Sequence, residues 1–456
     1  MKSSNEDTIV ALATPTGVGA LAIIRVSGNL SKTILDKLFR PINNQSIKPR
    51  ELQLGWIQEG SKKLDQAMAV YMPNPNSFTG EDVVEFHLHG SPAIIQNLIS
   101  SIITHPGIRQ AEAGEFTRRA FMNGKIDLVQ AEAVAELISA QNERSAKQAT
   151  SLLNGELSNQ IEKLKSKVIS LSAFYIANID FSEEDIPAIS PTKALQTITE
   201  VKQTIEQLIQ NAKHQNVIRE GFKVALVGLP NAGKSTLLNN LLGYDRALVS
   251  DIAGTTRDIL SESITINGVH YVLTDTAGLH TTNDTVERLG IERTKAEIEQ
   301  SDIVLLLIEP GKQADTQKYL EDNNLLHSLR QSKVLVVYTK SDITTEPISK
   351  FFSGFTSITI SSEDKQLVTT LTKSLEKLTS DINLESVQLL TNRQLSLFNT
   401  AVKQLELLEK LLIDQASDDI ILVELQAVVD IFNSLSGKQT SGEMINEVFA
   451  NFCIGK

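Results

Sequence analysis

Cysteine is almost absent from this sequence. Cys453 is the only one among 456 residues, which excludes an intramolecular disulfide framework and favours a reducing compartment such as the cytoplasm. Long hydrophobic runs are also missing, since no stretch reaches the roughly 18 apolar residues that a membrane span needs. The first residues, MKSSNEDTIVALATP, have neither the apolar core of a signal peptide nor an arginine-rich transit pattern. We therefore expect a cytoplasmic protein that contacts no membrane.

An excess of basic charge is lacking as well. The formal net charge is -12, which argues against a protein that coats nucleic acid indiscriminately, because phosphate binding draws on lysine and arginine. A local contact with RNA remains compatible with this charge. The chain is also too long for one ordinary hydrophobic core, so its length predicts about two to four domains.

The first part of the sequence has the pattern of an α+β domain. Residues 8–26, TIVALATPTGVGALAIIRV, pair two apolar runs around a Pro/Gly turn, which predicts strand, loop and strand. Apolar and polar residues then alternate over residues 83–87, and SPAIIQNLISSII follows with a helical pattern. We assign residues 1–120 to this N-terminal domain.

Two stretches of the chain are predicted to be helical and to form one bundle, residues 121–220 and 380–456. The first contains an apolar seam at four- and three-residue spacing, and a second helix near residues 192–214. The seam consists of Leu157, Ile161, Leu164, Val168, Leu171 and Tyr175. Because each stretch alone would leave a seam exposed, we interpret residues 221–379 as a domain inserted between the two halves.

The inserted segment has the pattern of an α/β domain with a parallel sheet. The apolar runs FKVALVG, YVLTDT, DIVLLLIEP and KVLVVYTK are spaced like buried parallel strands with helices between them. The predicted fold is therefore multidomain, with an N-terminal α+β domain, a helical bundle and an inserted P-loop domain.

The strand KVALVG leads into GLPNAGKS, residues 228–235, and then into the helix-like TLLNNLL. This strand, loop and helix is the context of a phosphate loop, whose inward N–H groups surround a β-phosphate. Lys234 is expected to reach the β- and γ-phosphates, and the Ser235 hydroxyl to bind Mg²⁺. The nucleotide-contacting residues predicted from this loop are Asn231, Ala232, Gly233, Lys234, Ser235 and Thr236.

Three further motifs follow in the order that a nucleotide site needs. GTTRD supplies Thr256 as a second Mg²⁺ ligand and γ-phosphate sensor. DTAG, which comprises Asp275, Thr276, Ala277 and Gly278, follows the strand YVLT. Asp275 is expected to hold a metal-bound water and the Gly278 N–H to meet the γ-phosphate.

TKSD, residues 339–342, and the serines Ser361 and Ser362 are predicted to surround the base. Asp342 can accept both the ring and the exocyclic N–H of guanine, and adenine presents no such donor pair, so the expected ligand is GTP. Such a base motif usually begins with Asn. Thr339 offers a shorter hydroxyl in its place, with Lys340 next to it, and we expect guanine specificity with weaker affinity.

The residue that positions the attacking water is not evident from the motifs. Leu279 follows DTAG, where Ras-like GTPases carry a Gln, and its side chain has no hydrogen-bonding group. Glu287 lies in the next segment, but Asp284 and Glu292 are alternatives on the residues alone.

Taken together, GLPNAGKST, DIAGTTRD, DTAGL with VERLGIER, and the final FCIGK resemble the MnmE (TrmE) family of tRNA modification GTPases. The resemblance covers essentially the whole chain. It implies that Glu287 positions the water and that K⁺ supplies the charge that an arginine finger supplies elsewhere. It assigns the K⁺ to Asn231, with Ser250, Ile252 and Thr255 in the loop before GTTRD. Arg257 and Arg288 are rival charge donors.

The same resemblance implies a ligand for the N-terminal domain, a 5-formyl-tetrahydrofolate-type folate held in a fold like that of folate-dependent aminomethyl transferases. Arg25, Glu85 and Lys125 match the family's folate-contacting positions, and the CIGK tail brings Lys456 near the pocket. The resemblance further implies a homodimer that forms through the N-terminal domain.

The implied reaction is the addition of a carboxymethylaminomethyl-type group to the wobble uridine of tRNA, together with an FAD-dependent MnmG-like partner. GTP hydrolysis would drive the domain motion. Two alternatives stay open on the residues, an Era-like ribosome-assembly GTPase and a folate-binding protein whose GTPase domain is regulatory. An Era-like protein would need a separate RNA-binding module, and no KH-type module is evident.

Overall fold

The structure is a computed structural model. It describes residues 7–42, 46–180, 190–248, 261–266, 269–275, 292, 294–342, 347, 349–361, 366–380, 387–439, 441–450 and 452–456. The chain divides into two compact units. The first comprises Met1–Ser139, Ala149–Glu206 and Thr391–Lys456, and the second comprises Ala140–Gln148 and Gln207–Leu390. No helix among the described residues is long and apolar enough to cross a membrane.

The first unit is built on a seven-stranded sheet with the order β3-β4-β5-β6-β2-β1-β7. The strands are β1 Thr8–Leu12, β2 Gly19–Ser27, β3 Phe39–Pro41, β4 Gln53–Glu59, β5 Lys62–Met72, β6 Val83–Gly90 and β7 Ile108–Gln110. All pairs are antiparallel except β1 with β7. The predicted strand, loop and strand over residues 8–26 and the alternating strand at residues 83–87 are confirmed as β1, β2 and β6.

One face of this sheet carries the hydrophobic core of the N-terminal part. The helices Ser31–Leu38 and Pro92–Ile103 pack there, and the second begins at Pro92, as the sequence predicts. Proline suits the first helical turn because its missing N–H would have no intrahelical partner. The core cluster includes Ile24, Val26 and Phe86, all 0% exposed. Because strand side chains alternate, Arg25 and Glu85 fall on the opposite face.

The rest of the first unit is largely helical. Its described helices include Glu115–Met122, Leu128–Ser139, Glu156–Asp180, Asn392–Ile413, Asp418–Ser436 and Gly442–Ala450. The helices Glu143–Leu153 and Pro191–Asn211 have residues in both units. The predicted seam is confirmed, since all six of its residues are buried on the helix Glu156–Asp180. The helix Asn392–Ile413 begins with a capping box between Thr391 and Gln394, which satisfies two N–H groups at its start. The turn predicted at FSEEDIPAISP falls mostly outside the described residues.

The second unit contains a six-stranded sheet with the order β13-β12-β11-β8-β10-β9. The strands are β8 Phe222–Val227, β9 Ser261–Ile266, β10 Val269–Asp275, β11 Ile303–Ile308, β12 Lys333–Tyr338 and β13 Thr356–Thr359. The four predicted parallel strands are confirmed as β8, β10, β11 and β12. The strand β9 pairs antiparallel with β10 at the sheet edge.

Both faces of this second sheet are covered, which explains the near-continuous apolar runs. One core cluster contains Val224, Leu305 and Leu335, and the other contains Ala225, Val304 and Val336. The described helices of this unit include Gln215–Glu220, Lys234–Leu248, Gln313–Asp322, Leu326–Gln331 and Leu367–Thr379, together with a helical stretch at residues 294–300 and a short 3-10 turn at Ala212–His214. Because β10, β8, β11, β12 and β13 are parallel, their carboxyl ends lie along one edge of the sheet, where ligands of open α/β sheets bind.

Candidate functional site

The phosphate loop lies between the end of β8 at Val227 and the helix Lys234–Leu248. Asn231 has a φ of 65° and Gly233 a φ of 94°, so the loop uses the left-handed conformation twice. A Cβ on Gly228 would lie 2.6 Å from the main-chain oxygen of Leu307. Glycine is therefore required there for the loop to pass close to β11.

Lys234 is held inside this loop. Its side chain is buried, and Nζ donates hydrogen bonds to the main-chain oxygens of Gly228, at 2.7 Å, and Leu229, at 3.1 Å. Ser235 and Thr236 are exposed on the first helical turn. The main-chain N–H groups of that turn have no intrahelical partners, and the helix dipole favours an anion at this end. The loop thus places a lysine at the start of a helix in the predicted order of strand, loop and helix.

The base-side motif follows β12 and contacts the phosphate loop directly. The Thr339 hydroxyl donates to the main-chain oxygen of Ala232 at 2.9 Å, and Thr339 is buried. A Cβ on Gly233 would lie 3.7 Å from the Thr339 side chain. The structure therefore brings together the two motifs that are about a hundred residues apart in sequence.

Asp342 is fixed at the mouth of the same motif. The Ser361 hydroxyl donates to its Oδ1 at 2.6 Å, and this hydrogen bond lowers the pKa of the Asp342 carboxyl. An ionised carboxylate accepts hydrogen bonds and donates none, so Asp342 is suited to paired N–H donors. Ser361, which is predicted to lie beside the base, therefore contacts Asp342, while Ser362 lies outside the described residues.

Lys340 pairs with a residue that the sequence motifs did not identify. Its Nζ lies 2.6 Å from a carboxylate oxygen of Glu309, and its φ is 53°. Glu309 immediately follows β11, so the signal was an acidic residue at the carboxyl end of a predicted strand. Glu309 also lines a cavity of about 180 Å³ beside the phosphate loop, together with Leu229, Pro230, Ala232, Leu307, Lys312 and Thr316.

Several predicted site residues lie outside the described residues. They are Ser250, Ile252, Thr255, Thr256, Thr276, Ala277, Gly278 and Glu287. Asp275 is the last residue of β10, and its backbone pairs with Leu226 of β8. The DTAG motif therefore begins at the carboxyl edge of the sheet, next to the strand that leads into the phosphate loop.

The second cluster of predicted residues lies on the outer face of the first unit's sheet. Arg25 of β2 and Glu85 of β6 are directly opposite in the register, and Arg25 Nε donates to Glu85 Oε1 at 2.8 Å. His87 Nε2 lies 3.3 Å from the other carboxylate oxygen. The hydrogen bond with His87 lowers the pKa of Glu85, and Arg25 lowers it further against the opposing effect of burial.

Two aromatic rings flank the Arg25 guanidinium, Phe116 at 5.6 Å and Phe78 at 5.9 Å. The Phe116 main-chain N–H donates to the main-chain oxygen of Lys456 at 3.0 Å, so the last residue lies against the wall of this site. Ile454 also forms a β-bridge with Ala113. Disorder is the default expectation for a chain end, and these contacts explain why the tail is ordered here instead.

Lys125 lies beside the loop that precedes β6. A Cβ on Gly80 would lie 3.3 Å from Lys125 Cε, and the Lys125 side chain is exposed. Among the described residues, no salt bridge joins Lys125 to Glu85. The structure therefore brings Arg25, Glu85 and the Lys456 main chain together and leaves Lys125 on the neighbouring loop.

Comparison with known proteins identifies relatives of this chain. The family "GTP-binding protein TrmE N-terminus" matches residues 8–125, and the family "MnmE helical domain" matches residues 128–453. The chain is 37% identical over 453 residues to the tRNA modification GTPase MnmE of Aquifex aeolicus (strain VF5), covering 99% of this chain and 100% of that relative. It is 39% identical over 458 residues to the protein of the same name from Proteus mirabilis (strain HI4320), covering 99% of each.

Among solved structures, the FeoB G-domain of Methanococcus jannaschii covers 35% of this chain and 98% of its own, with 19% identity and a TM-score of 0.26. That likeness is too distant to carry an argument about activity. The relatives in sequence match along almost their whole length, and the helical-domain family spans most of the chain. The chain therefore belongs to the MnmE (TrmE) family of tRNA modification GTPases.

Proposed function

We propose that this chain is a cytoplasmic GTPase that binds GTP with Mg²⁺, hydrolyses it in a K⁺-dependent reaction and thereby drives modification of the tRNA wobble uridine. An FAD-dependent MnmG-like protein is the proposed partner, and the product carries a carboxymethylaminomethyl-type group. The observation that carries the proposal is the phosphate loop, where Lys234 is buried at the first residue of the helix that follows β8.

The phosphate loop supports nucleotide binding by simple electrostatics. The Lys234 ammonium donates to neutral carbonyl oxygens, and a phosphate oxygen carries more negative charge than a carbonyl, so a charge-assisted hydrogen bond would be stronger. Ser235 is the described residue suited to a Mg²⁺ ligand, because hard divalent cations prefer oxygen donors. Magnesium would neutralise charge on the β- and γ-phosphates.

The hydrolytic step depends on residues outside the described part of the chain. Glu287 is the proposed water-positioning residue, because Leu279 cannot hold a water. Asn231, Ser250, Ile252 and Thr255 are the proposed K⁺ ligands, and a cation there would supply positive charge near the developing charge of the transition state. Asn231 fits this role chemically, since its side-chain oxygen is a neutral donor on an exposed part of the loop.

The Arg25 and Glu85 pair supports a folate-type ligand in the first unit. Contacts with His87 and Arg25 lower the pKa of Glu85 and so favour its ionised form, and an ionised carboxylate can accept the paired N–H groups of a pterin ring. Arg25, Lys125 and Lys456 are the proposed cations for the carboxylates of the ligand. The aromatic rings of Phe78 and Phe116 supply the apolar walls that ligand pockets commonly have.

The outer face of the same sheet supports the proposed homodimer. Leu54, Met68, His87 and Ile23 form one row across four strands. Leu54 is 47% exposed and Met68 39% exposed. Leu21, in the irregular part of β2 before Ala22, is 55% exposed. Leu54 and Met68 are paired across β4 and β5, and neighbouring exposed apolar side chains on a sheet are typical of an interaction surface. A second copy of the chain is the occupant we propose.

GTP turnover measured in KCl and in NaCl tests the proposal. We expect turnover to be about ten-fold or more faster in KCl, because the neutral oxygen cage suits K⁺ better. Glu287→Ala should nearly abolish turnover while GTP binding is retained, whereas Glu299→Ala, on the described helical stretch that follows, is the matched acidic control. Equal turnover in both salts would remove the K⁺ hypothesis, and unimpaired Glu287→Ala would remove the assignment of the water-positioning residue.

A further inference from the structure

The Thr339 hydroxyl donates a hydrogen bond to the protein backbone. Its Oγ1 lies 2.9 Å from the main-chain oxygen of Ala232 and 3.4 Å from that of Ile308. Carbonyl oxygens only accept hydrogen bonds, so the hydroxyl must be the donor toward either of them. Thr339 is 5% exposed, and a buried hydroxyl without a partner is costly. Its single proton therefore belongs to the Ala232 carbonyl.

The hydrogen bond to Ala232 limits what residue 339 can donate to a base bound beside it. Guanine presents two acceptors, O6 and N7, on one edge. An asparagine at this position would carry two amide protons, so it could donate one to a loop carbonyl and another to the base. A threonine has one proton, and Ala232 takes it. The side chain of residue 339 then has no donor left for the N7 of guanine.

Asp342, the hydrogen-bond acceptor of the base motif, is in contrast held in place by neighbouring residues. Ser361 donates to Oδ1 of Asp342 at 2.6 Å, and the Ser341 N–H donates to the main-chain oxygen of Ile360 at 3.3 Å. An ionised carboxylate has about four acceptor sites on its two oxygens, so Asp342 can hold Ser361 and still accept two N–H groups from guanine. The base loop is thus anchored at both ends, by Thr339 to the phosphate loop and by Asp342 to Ser361.

We propose that Thr339 acts as a positioning residue that joins the base loop to the phosphate loop. Its side chain donates no hydrogen bond to guanine N7, so guanine selection depends on Asp342. This inference rests on the proposed guanine-nucleotide function. This chain would therefore recognise fewer groups of the base than a chain with asparagine at residue 339. Nucleotides altered at N7 are then tolerated, and nucleotides altered at the exocyclic amine are rejected.

Calorimetric titration of the full chain with GDP, 7-deaza-GDP, IDP and ADP in the presence of Mg²⁺ tests this directly. We expect 7-deaza-GDP, which lacks N7, to bind within about two-fold of GDP, since no hydrogen bond is lost. IDP lacks the exocyclic amine, and we expect it to bind at least about ten-fold more weakly, because Asp342 loses a charge-assisted partner. A 7-deaza-GDP affinity about ten-fold below that of GDP would overturn the inference.

Thr339→Val separates positioning from base reading. Valine has a similar shape but no hydroxyl, so the Ala232 carbonyl loses its donor and we expect GDP and 7-deaza-GDP to weaken alike, by about five-fold. If Thr339 instead donated to N7, the substitution would weaken GDP alone and abolish its advantage over 7-deaza-GDP. Thr339→Asn restores a second proton and should create a preference for GDP over 7-deaza-GDP.

Failure of the proposed function has a different signature in the same titrations. Equal affinities of GDP and ADP would contradict the guanine assignment itself. A clear preference for GDP over ADP, combined with a clear preference for GDP over 7-deaza-GDP, would leave guanine binding intact and overturn only the role given to Thr339. These two readouts use the unmodified protein, so they hold even if a variant folds poorly.

Discussion

The two candidate sites of this chain are built in opposite ways. The nucleotide site is centred on one continuous loop between β8 and a helix, and its cation, Lys234, bonds oxygens only 5 and 6 residues away. The site in the first unit depends on strand register, since Arg25 and Glu85 are 60 residues apart and Lys456 joins from the end of the chain. A local motif can be recognised in a sequence, whereas a cross-strand pair depends on the fold.

The two sites also differ in the described contacts of their cations. Lys234 bonds two carbonyl oxygens of its own loop, and a phosphate oxygen carries more negative charge than a carbonyl. Arg25 already has a carboxylate partner, and a ligand must compete with that ion pair while adding contacts of its own. We therefore expect single substitutions to have larger effects at the nucleotide site than at the site in the first unit.

The largest expected effect is that of Lys234→Ala. Removing a preorganised cation from a phosphate site is expected to slow GTP turnover by roughly 10²–10³-fold, as measured by phosphate release. Lys223→Ala is the matched control, because Lys223 lies on β8 and its side chain is exposed in a surface pair with Glu220. Turnover of Lys234→Ala within a few-fold of the unmodified chain would contradict the assigned role of the loop.

The next effect concerns acid stability and is confined to the first unit. Burial raises the pKa of Glu115, but hydrogen bonds with Arg109, the Glu112 N–H and Arg119 lower it to about 2 from 4.5. A lowered folded-state pKa gives stability that is present above about pH 4.5 and is lost as the pH falls toward 2. The shift in the pKa of Glu115 corresponds to about 3 kcal/mol of the free energy of unfolding.

Glu115→Gln should remove most of this pH dependence, as measured by denaturant unfolding at pH 7 and pH 3. Glu112→Gln is the control, because Glu112 is 65% exposed in its pair with Arg118. If Glu115→Gln kept the full loss of stability between the two pH values, the buried ion pairs of Glu115 would not be its source.

A smaller effect is expected for Glu85→Ala, which removes the carboxylate from the site in the first unit. Loss of one member of a partly buried charge pair is expected to weaken 5-formyl-tetrahydrofolate binding by about 30-fold, as measured by titration. Glu51→Ala is the control in the same unit, because its pair with Lys48 is exposed. Unchanged binding would show that the ligand binds elsewhere.

The smallest effect concerns the ordered tail. A Cβ on Gly455, whose φ is +95°, would lie 2.1 Å from the main-chain oxygen of Leu12, so Gly455→Ala should release the tail. Hydrogen exchange at the Gly114 and Phe116 amides, which donate to Cys453 and Lys456, should become about ten-fold faster. Gly60→Ala is the control. Gly60 also has a positive φ, but no other atom lies within 4 Å of where its Cβ would be. Unaltered exchange in Gly455→Ala would mean that the tail contacts tolerate the side chain.

Much of the fold follows from sequence because its signals are local. The apolar runs of β8, β11 and β12 and the seam from Leu157 to Tyr175 are confirmed. Burial on both faces or on one helical stripe dictates each of these patterns. The phosphate loop was predicted for the same reason, since loop, lysine and helix are contiguous.

The remaining features depend on contacts between distant residues. Arg25 and Glu85 could be named as site residues only from a family resemblance, and their pairing was not predicted, because apolar alternation sets the face of each side chain and not its partner across the strands. The Glu309 partner of Lys340 and the Ala232 partner of Thr339 arise from the neighbouring positions of β8, β11 and β12. No spacing within a single segment encodes such a pairing.

Nucleoside analysis of tRNA tests the central claim most directly. We expect cells that lack this chain to lose the carboxymethylaminomethyl-type group at the wobble uridine, and the unmodified chain to restore it. The Lys234→Ala variant should not restore it, whereas Lys223→Ala should. Wobble uridines that are unchanged in cells lacking the chain would contradict the proposed role.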